Sequence, residues 1–125
     1  MLRIGTSGYS YPDWKGCYYP AGTKQSDMLR FYAEEFDTVE INYTYYRIPA
    51  ARTLADMARQ VPNQFSFTLK ANQAMTHDRS AEPKIFQTFR AALAPLQEQG
   101  KLGCVLAQFP NSFHNDDQNR SYLAS

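Results

Sequence analysis

Apolar and polar residues alternate with a period of two in several short stretches of this chain. Between those stretches, apolar residues recur every three or four positions. Val39 and Ile41 alternate with Thr38, Glu40 and Asn42, and Phe65, Phe67 and Leu69 alternate with Ser66, Thr68 and Lys70. Successive side chains of a strand point to opposite faces, so each stretch predicts a strand with one apolar and one polar face. A first strand is expected over residues 2–5, with Leu2 and Ile4 opposed to Arg3 and Gly5. A fourth is expected over residues 102–108, mostly apolar, with Gln108 joining the polar set. Met28, Leu29, Tyr32 and Ala33 share a helical face behind a Ser26 or Asp27 cap, and residues 51–60 form a second helix. Pro83 suits the first position of a third helix that Gly100 closes, with Pro95 kinking it or ending it early; a fourth helix spans residues 115–125.

A strand followed by a helix, four times, is the pattern of a parallel sheet with right-handed crossovers. Central strands of an open doubly wound sheet read as continuous apolar runs, because helices cover both faces. Here one face is polar, which suits a barrel wall with one outer layer of helices and polar groups turned inward. A solvated antiparallel sheet would also show alternation, but helix-length crossovers argue against hairpins.

A length of 125 residues suits one domain, and a 43% hydrophobic content supports a packed core. The net charge of +1 leaves no electrostatic footprint for nucleic acid, which makes nucleic acid a poor partner. No stretch approaches the ~20 apolar residues of a membrane span. The N-terminus runs straight into a strand instead of a signal peptide, and Cys17 and Cys104 lack metal-ligand spacing. Two free thiols and no leader imply a cytoplasmic protein.

Several segments in order carry a family resemblance: residues 4–14, Tyr18-Tyr19-Pro20, residues 36–42, residues 44–49, Lys70, Thr76-His77, Leu102-Gly103 and Gln108-Phe109-Pro110. Across essentially its whole length the chain resembles the YecE-like family, catalogued as domain of unknown function 72. Three aromatic positions depart from the family pattern: Tyr9 stands for Trp, Tyr43 for a small residue and Tyr45 for Phe. The resemblance implies a fold similar to the (β/α)8 TIM barrel, about 250 residues long in its typical form. Four βα units make a half-barrel, so residues 1–125 read as a single truncated domain, the N-terminal portion of such a barrel. Its open sheet edges are expected to invite self-association. The family has no agreed reaction, so the resemblance implies neither a cofactor nor a chemistry.

The ends of barrel strands that form the catalytic face hold the candidate residues. Glu40 could act as a general base or a metal ligand, Lys70 as a clamp for an anion or a Schiff-base amine, and His77 as a proton shuttle or a metal ligand. The competing reading of the first two is an ion pair, Glu40–Lys70 or Arg3–Glu40, that holds the wall together. Asn42 and Gln108 are candidate ligand-binding groups. Trp14, Tyr9, Tyr46 and their aromatic neighbours Tyr11, Tyr43 and Tyr45 are expected to crowd the same face, for stacking or to plug the barrel mouth. His114 with Asp116 and Asp117 reads as a helix cap. No metal set is proposed among these residues. The leading expectation is an enzyme acting on a small polar, carbohydrate or phosphorylated, substrate. The alternatives are an inactive fragment, a non-catalytic binding module, or less favourably a nucleic-acid-processing barrel.

Overall fold

Each predicted strand–helix pair forms in the computed structural model, which describes residues 2–79 and 82–125. The strands are β1 (Gly5–Ser7), β2 (Thr38–Ile41), β3 (Ser66–Lys70) and β4 (Leu102–Leu106). The helices α1 (Gln25–Glu35), α2 (Ala51–Arg59), α3 (Pro83–Glu98) and α4 (Asp117–Ala124) follow them in turn. The sheet order is β1-β2-β3-β4 and every pairing is parallel. Because each strand joins beside its predecessor, right-handed crossovers return their helices to the same face. A doubly wound sheet needs a reversal of strand order, which this sheet lacks. The result is one half of a (β/α)8 wall.

Paired residues on neighbouring strands share a face, so the register sorts the side chains. Thr6, Val39 and Phe67 lie on the outer face, followed by Ile41, Leu69 and Val105. Val39, Ile41, Phe67 and Leu69 are at most 2% exposed and pack under Leu29, Tyr32, Leu54, Phe89 and Leu96 of the first three helices. On the inner face Ser7, Glu40, Thr68 and Cys104 form one row, and Lys70 and Leu106 the next. Lys70 and Phe67 therefore occupy opposite faces, as the alternation requires. Between the pairs Phe67–Leu102 and Thr68–Cys104 the register shifts, and Gly103 is the extra residue. That bulge reverses the parity of β4.

Several boundaries differ from expectation. The first strand starts at Gly5, later than residue 2, because its pairing begins opposite Thr38. Gly5 is required there: a Cβ would come within 1.9 Å of the Thr38 carbonyl oxygen. Leu2 and Ile4 keep the outer parity but are 82% and 59% exposed. Neither Ser26 nor Asp27 caps α1; Lys24 occupies the cap position and both lie in the first turn. Pro95 does not end α3, since burial of Leu93 and Leu96 beside it holds the last turn. Gly100, at φ +66°, ends it instead: its amide donates to Gln97 and that of Lys101 to Leu96. The fourth strand ends at Leu106, before Gln108. Asp116 caps α4, accepting from the Asn119 amide at 2.8 Å. Cys17 and Cys104 are exposed free thiols. Among the described residues no helix is long and apolar enough to cross a membrane.

Candidate functional site

At the C-terminal ends of β2, β3 and β4 the chain builds a cleft of about 280 Å³, lined by Asn42, Tyr45, Tyr46, Lys70, His77 and Gln108. Strand parity places three of these. Asn42 follows β2 and Lys70 ends β3, both in the inward register. Gln108 keeps the inward parity of Cys104 and Leu106, which the bulge at Gly103 sets. Without the extra residue, strict alternation from Leu102 would turn Gln108 outward.

The other three lining residues come from short turns. After β2, residues Tyr43–Tyr45 form a single 3-10 turn that presents Tyr45 and Tyr46. After β3, Ala74–Asp78 form one turn of π-helix in place of the expected loop, and His77 lies within it. Two buried polar side chains staple these turns together. The Thr44 hydroxyl, fully buried, donates to the Lys70 carbonyl at 2.6 Å. The Asn72 amide donates to the Thr44 carbonyl at 3.0 Å while its oxygen accepts from the Ala74 amide at 3.1 Å. From α4, the Tyr122 hydroxyl donates to the Met75 carbonyl at 2.5 Å.

Within the cleft the aromatic rings set the geometry. The Lys70 ammonium lies 4.9 Å from the Tyr45 ring centroid, a cation–π distance. The Tyr45 ring meets His77 edge-on at 5.2 Å and Tyr46 edge-on at 4.9 Å. The Thr76 hydroxyl lies 3.0 Å from His77 Nδ1, which orients the imidazole and leaves Nε2 with no side-chain or backbone partner among the described residues.

Neither wall-holding ion pair forms. Among the described residues no carboxylate lies within 4 Å of Lys70, and the side-chain salt bridges are Arg59–Asp56 and Arg120–Asp117. Arg3 instead donates to the Gln64 carbonyl at 2.6 Å. Glu40 sits one inner row below Lys70, outside the lining of the cleft. Its Oε1 accepts from the Ser7 hydroxyl at 3.2 Å, and Ser7 Oγ in turn accepts from the Asn42 amide at 2.5 Å. A relay of hydrogen bonds thus joins Glu40 to the cleft floor. Among the described residues no three His, Cys, Asp or Glu side chains cluster as a metal set.

The aromatics do not gather in one cleft. Trp14 packs among Tyr11, Tyr18 and Tyr19, and Tyr18 and Tyr19 in turn meet Phe31 of α1. Tyr9 and Tyr43 line a different cleft of about 510 Å³ with Arg47, Ile48, Thr53 and Met57. Burial raises the Tyr9 phenol above its ordinary range, with Tyr43 adding to the effect. Burial also raises Tyr43, against the opposing pull of Arg47. Sequence reasoning missed the stapling pair Thr44 and Asn72. The available signal was a lone polar residue within the Tyr43–Tyr46 run and an Asn just past a strand end.

A family model described as a protein of unknown function, DUF72, matches residues 3–125. The chain is similar to the UPF0759 protein YunF of Bacillus subtilis (strain 168), with 33% identity over 129 aligned residues, 98% of this chain and 45% of that protein. It is also similar to the crystal structure of a DUF72 family protein from Thermotoga maritima MSB8, at TM-score 0.84 and 38% identity, covering 99% of this chain and 50% of that one. A DUF72 family protein from Enterococcus faecalis V583 gives TM-score 0.83 and 30% identity over 99% of this chain and 45% of that one. The chain therefore spans about half the length of the relatives it matches.

Proposed function

The chain belongs to the DUF72 family of proteins of unknown function, and we propose that its C-terminal cleft binds a small phosphorylated sugar or similar polar anion and contributes to an enzyme acting on it. One observation carries this reading. Lys70 brings a full positive charge to the strand ends, and among the described residues no carboxylate lies within 4 Å of it. An ammonium held beside an aromatic face and two amides is completed by an anionic ligand. Tyr45 and Tyr46 offer faces on which a sugar ring can stack.

In this reading Lys70 clamps the anion, and Asn42 and Gln108 orient hydroxyls. His77 transfers a proton through Nε2, its Nδ1 being engaged by Thr76. Glu40 acts from below as a positioning residue, through Ser7 and Asn42. This reading assigns no role to Tyr9, which lines the neighbouring cleft, or to Trp14, which packs among Tyr11, Tyr18 and Tyr19. Binding without turnover is the second reading. It is favoured by the chain's coverage of only 45–50% of the relatives it matches.

The test is titration of the chain with inorganic phosphate and with a panel of sugar phosphates, followed by calorimetry and amide chemical shifts. Saturable binding with shifts at Lys70 and His77, lost in Lys70→Met, is expected. Absence of binding by every member of the panel, or equal binding by Lys70→Met, would overturn the assignment.

A further inference from the structure

The cleft that Tyr9 and Tyr43 line is built on the connection between β2 and α2. Tyr43 and Arg47 belong to that connection, and Thr53 and Met57 to α2. Tyr9 reaches it from beyond the end of β1, its ring centroid 6.1 Å from that of Tyr32 on α1. β2 lies between β1 and β3, so the cleft is framed by residues 9–57 and does not depend on the sheet edges. Its lining combines two chemistries. Buried Pro49 and Met57, with Ile48 packed against the core, give it an apolar floor beside the Tyr9 ring. The polar groups are the phenols of Tyr9 and Tyr43 and the Arg47 guanidinium, close enough together that Tyr43 acts on Tyr9 and Arg47 on Tyr43. Burial raises both phenols, so each keeps its proton at neutral pH and can donate it to a hydrogen bond. Among the described residues no side-chain hydrogen bond or salt bridge engages these three groups. No carboxylate lines the cleft, and the first turn of α2 carries none. The one formal charge in the lining is therefore positive, with neutral donors and an apolar floor beside it.

We propose that this cleft is a second binding site, specific for a small carboxylic acid that carries an aromatic ring. A carboxylate accepts both N–H groups of the guanidinium fork and can take a further bond from a phenol. Its single negative charge matches the single cation, whereas a phosphate monoester would set about −1.5 to −2 against it. The ring rests on Ile48, Pro49 and Met57, where the thioether and the Tyr9 ring make contacts that suit an aromatic edge or face. A volume of about 510 Å³ lies within the range of small-molecule pockets. The Tyr43–Tyr45 turn, pinned by buried Thr44, stands between this cleft and that of Lys70, since Tyr43 lines one and Tyr45 the other. The inference holds whichever ligand Lys70 takes.

Titration calorimetry of the protein at its full natural length with indole-3-acetate, acetate and phenyl phosphate tests this. Indole-3-acetate should saturate one site per chain and bind about tenfold or more tightly than acetate, which lacks the ring, or phenyl phosphate, which lacks the matching charge. Arg47→Gln should weaken it about tenfold or more, and Tyr43→Phe should weaken it by a smaller factor. Both side chains are exposed and carry no hydrogen bond among the described residues, so the far-UV dichroism of each variant should be unchanged. Lys70→Met, which strikes only the other cleft, should leave the affinity for indole-3-acetate as it was. No binding of indole-3-acetate, equal binding of acetate or phenyl phosphate, indifference to Arg47→Gln, or loss of binding in Lys70→Met would each overturn the proposal.

Discussion

Replacing Thr44 by Val tests how the turns around the cleft are held. Valine has nearly the shape of threonine, so the fully buried site keeps its packing and loses one hydroxyl. That hydroxyl donates to the Lys70 carbonyl at 2.6 Å and lies 3.2 Å from the Ile41 carbonyl. Leaving the Lys70 carbonyl buried without its donor costs about 1–3 kcal/mol. For a chain of this size that corresponds to a fall in Tm of roughly 3–5 °C per kcal/mol. Thr44→Ser keeps the donor and removes a buried methyl, at a cost of about 1 kcal/mol. The two variants should therefore rank with Val the less stable, in urea unfolding at a single protein concentration. Ligand titration should show the Val variant weakened as well, because the same bond aligns Lys70 with Tyr45. A serine variant less stable than the valine variant would show that Thr44 serves by packing and that the hydroxyl does not hold the turns.

Two further outcomes follow from buried titratable groups. Tyr19 is 1% exposed and its hydroxyl donates to the Tyr9 carbonyl at 2.6 Å. Burial, reinforced by Tyr18, Tyr32 and Tyr9, holds its phenol well above the ordinary 10.0. The folded state thus keeps a proton that the unfolded chain sheds near pH 10, so this contribution is complete below that pH and falls as pH rises. Tyrosinate absorbance of Tyr19 should arrive only together with loss of far-UV dichroism; titration of all nine tyrosines near pH 10 in an intact fold would refute this. Lys101, 4% exposed, donates to the carbonyls of Ala58 and Val61 at 2.6 and 2.9 Å, closing the C-terminal end of α2. Burial lowers its pKa from 10.5, so its contribution rises with pH through that lowered value and is fullest above 10.5. Lys101→Met leaves two carbonyls without their donor and should cost about 1–3 kcal/mol at neutral pH, read by urea unfolding; an unchanged midpoint would refute the role.

What the sequence determined by itself is local in origin. Alternation along residues 38–42 and 65–70 assigned the inner and outer faces of β2 and β3, because the two-residue period of a strand needs no knowledge of its neighbours. Apolar spacing likewise located α1, and Gly100 marked the end of α3 through its freedom to adopt positive φ. The inward register of Asn42 and Lys70 was legible on the same grounds.

Tertiary structure decided the rest. The polarity of Gln108 put it in the inward set, but strand parity alone could not, since the bulge at Gly103 exists only in the pairing of β4 with β3. Nor could it separate Tyr45 and Tyr46 from Tyr9, Tyr43 and Trp14. Loop aromatics look alike in sequence, and the path of each turn across the strand ends sorts them. The ion pairs open to Glu40, Lys70 and Arg3 were settled by hydrogen bonds from Ser7 and to Gln64. Lys101 reads in sequence as an exposed lysine beside a helix cap, yet it is buried because two carbonyls from a distant helix end converge on it. Hydrogen bonds between residues far apart in the chain leave no periodic trace, and they hold both the wall and the cleft.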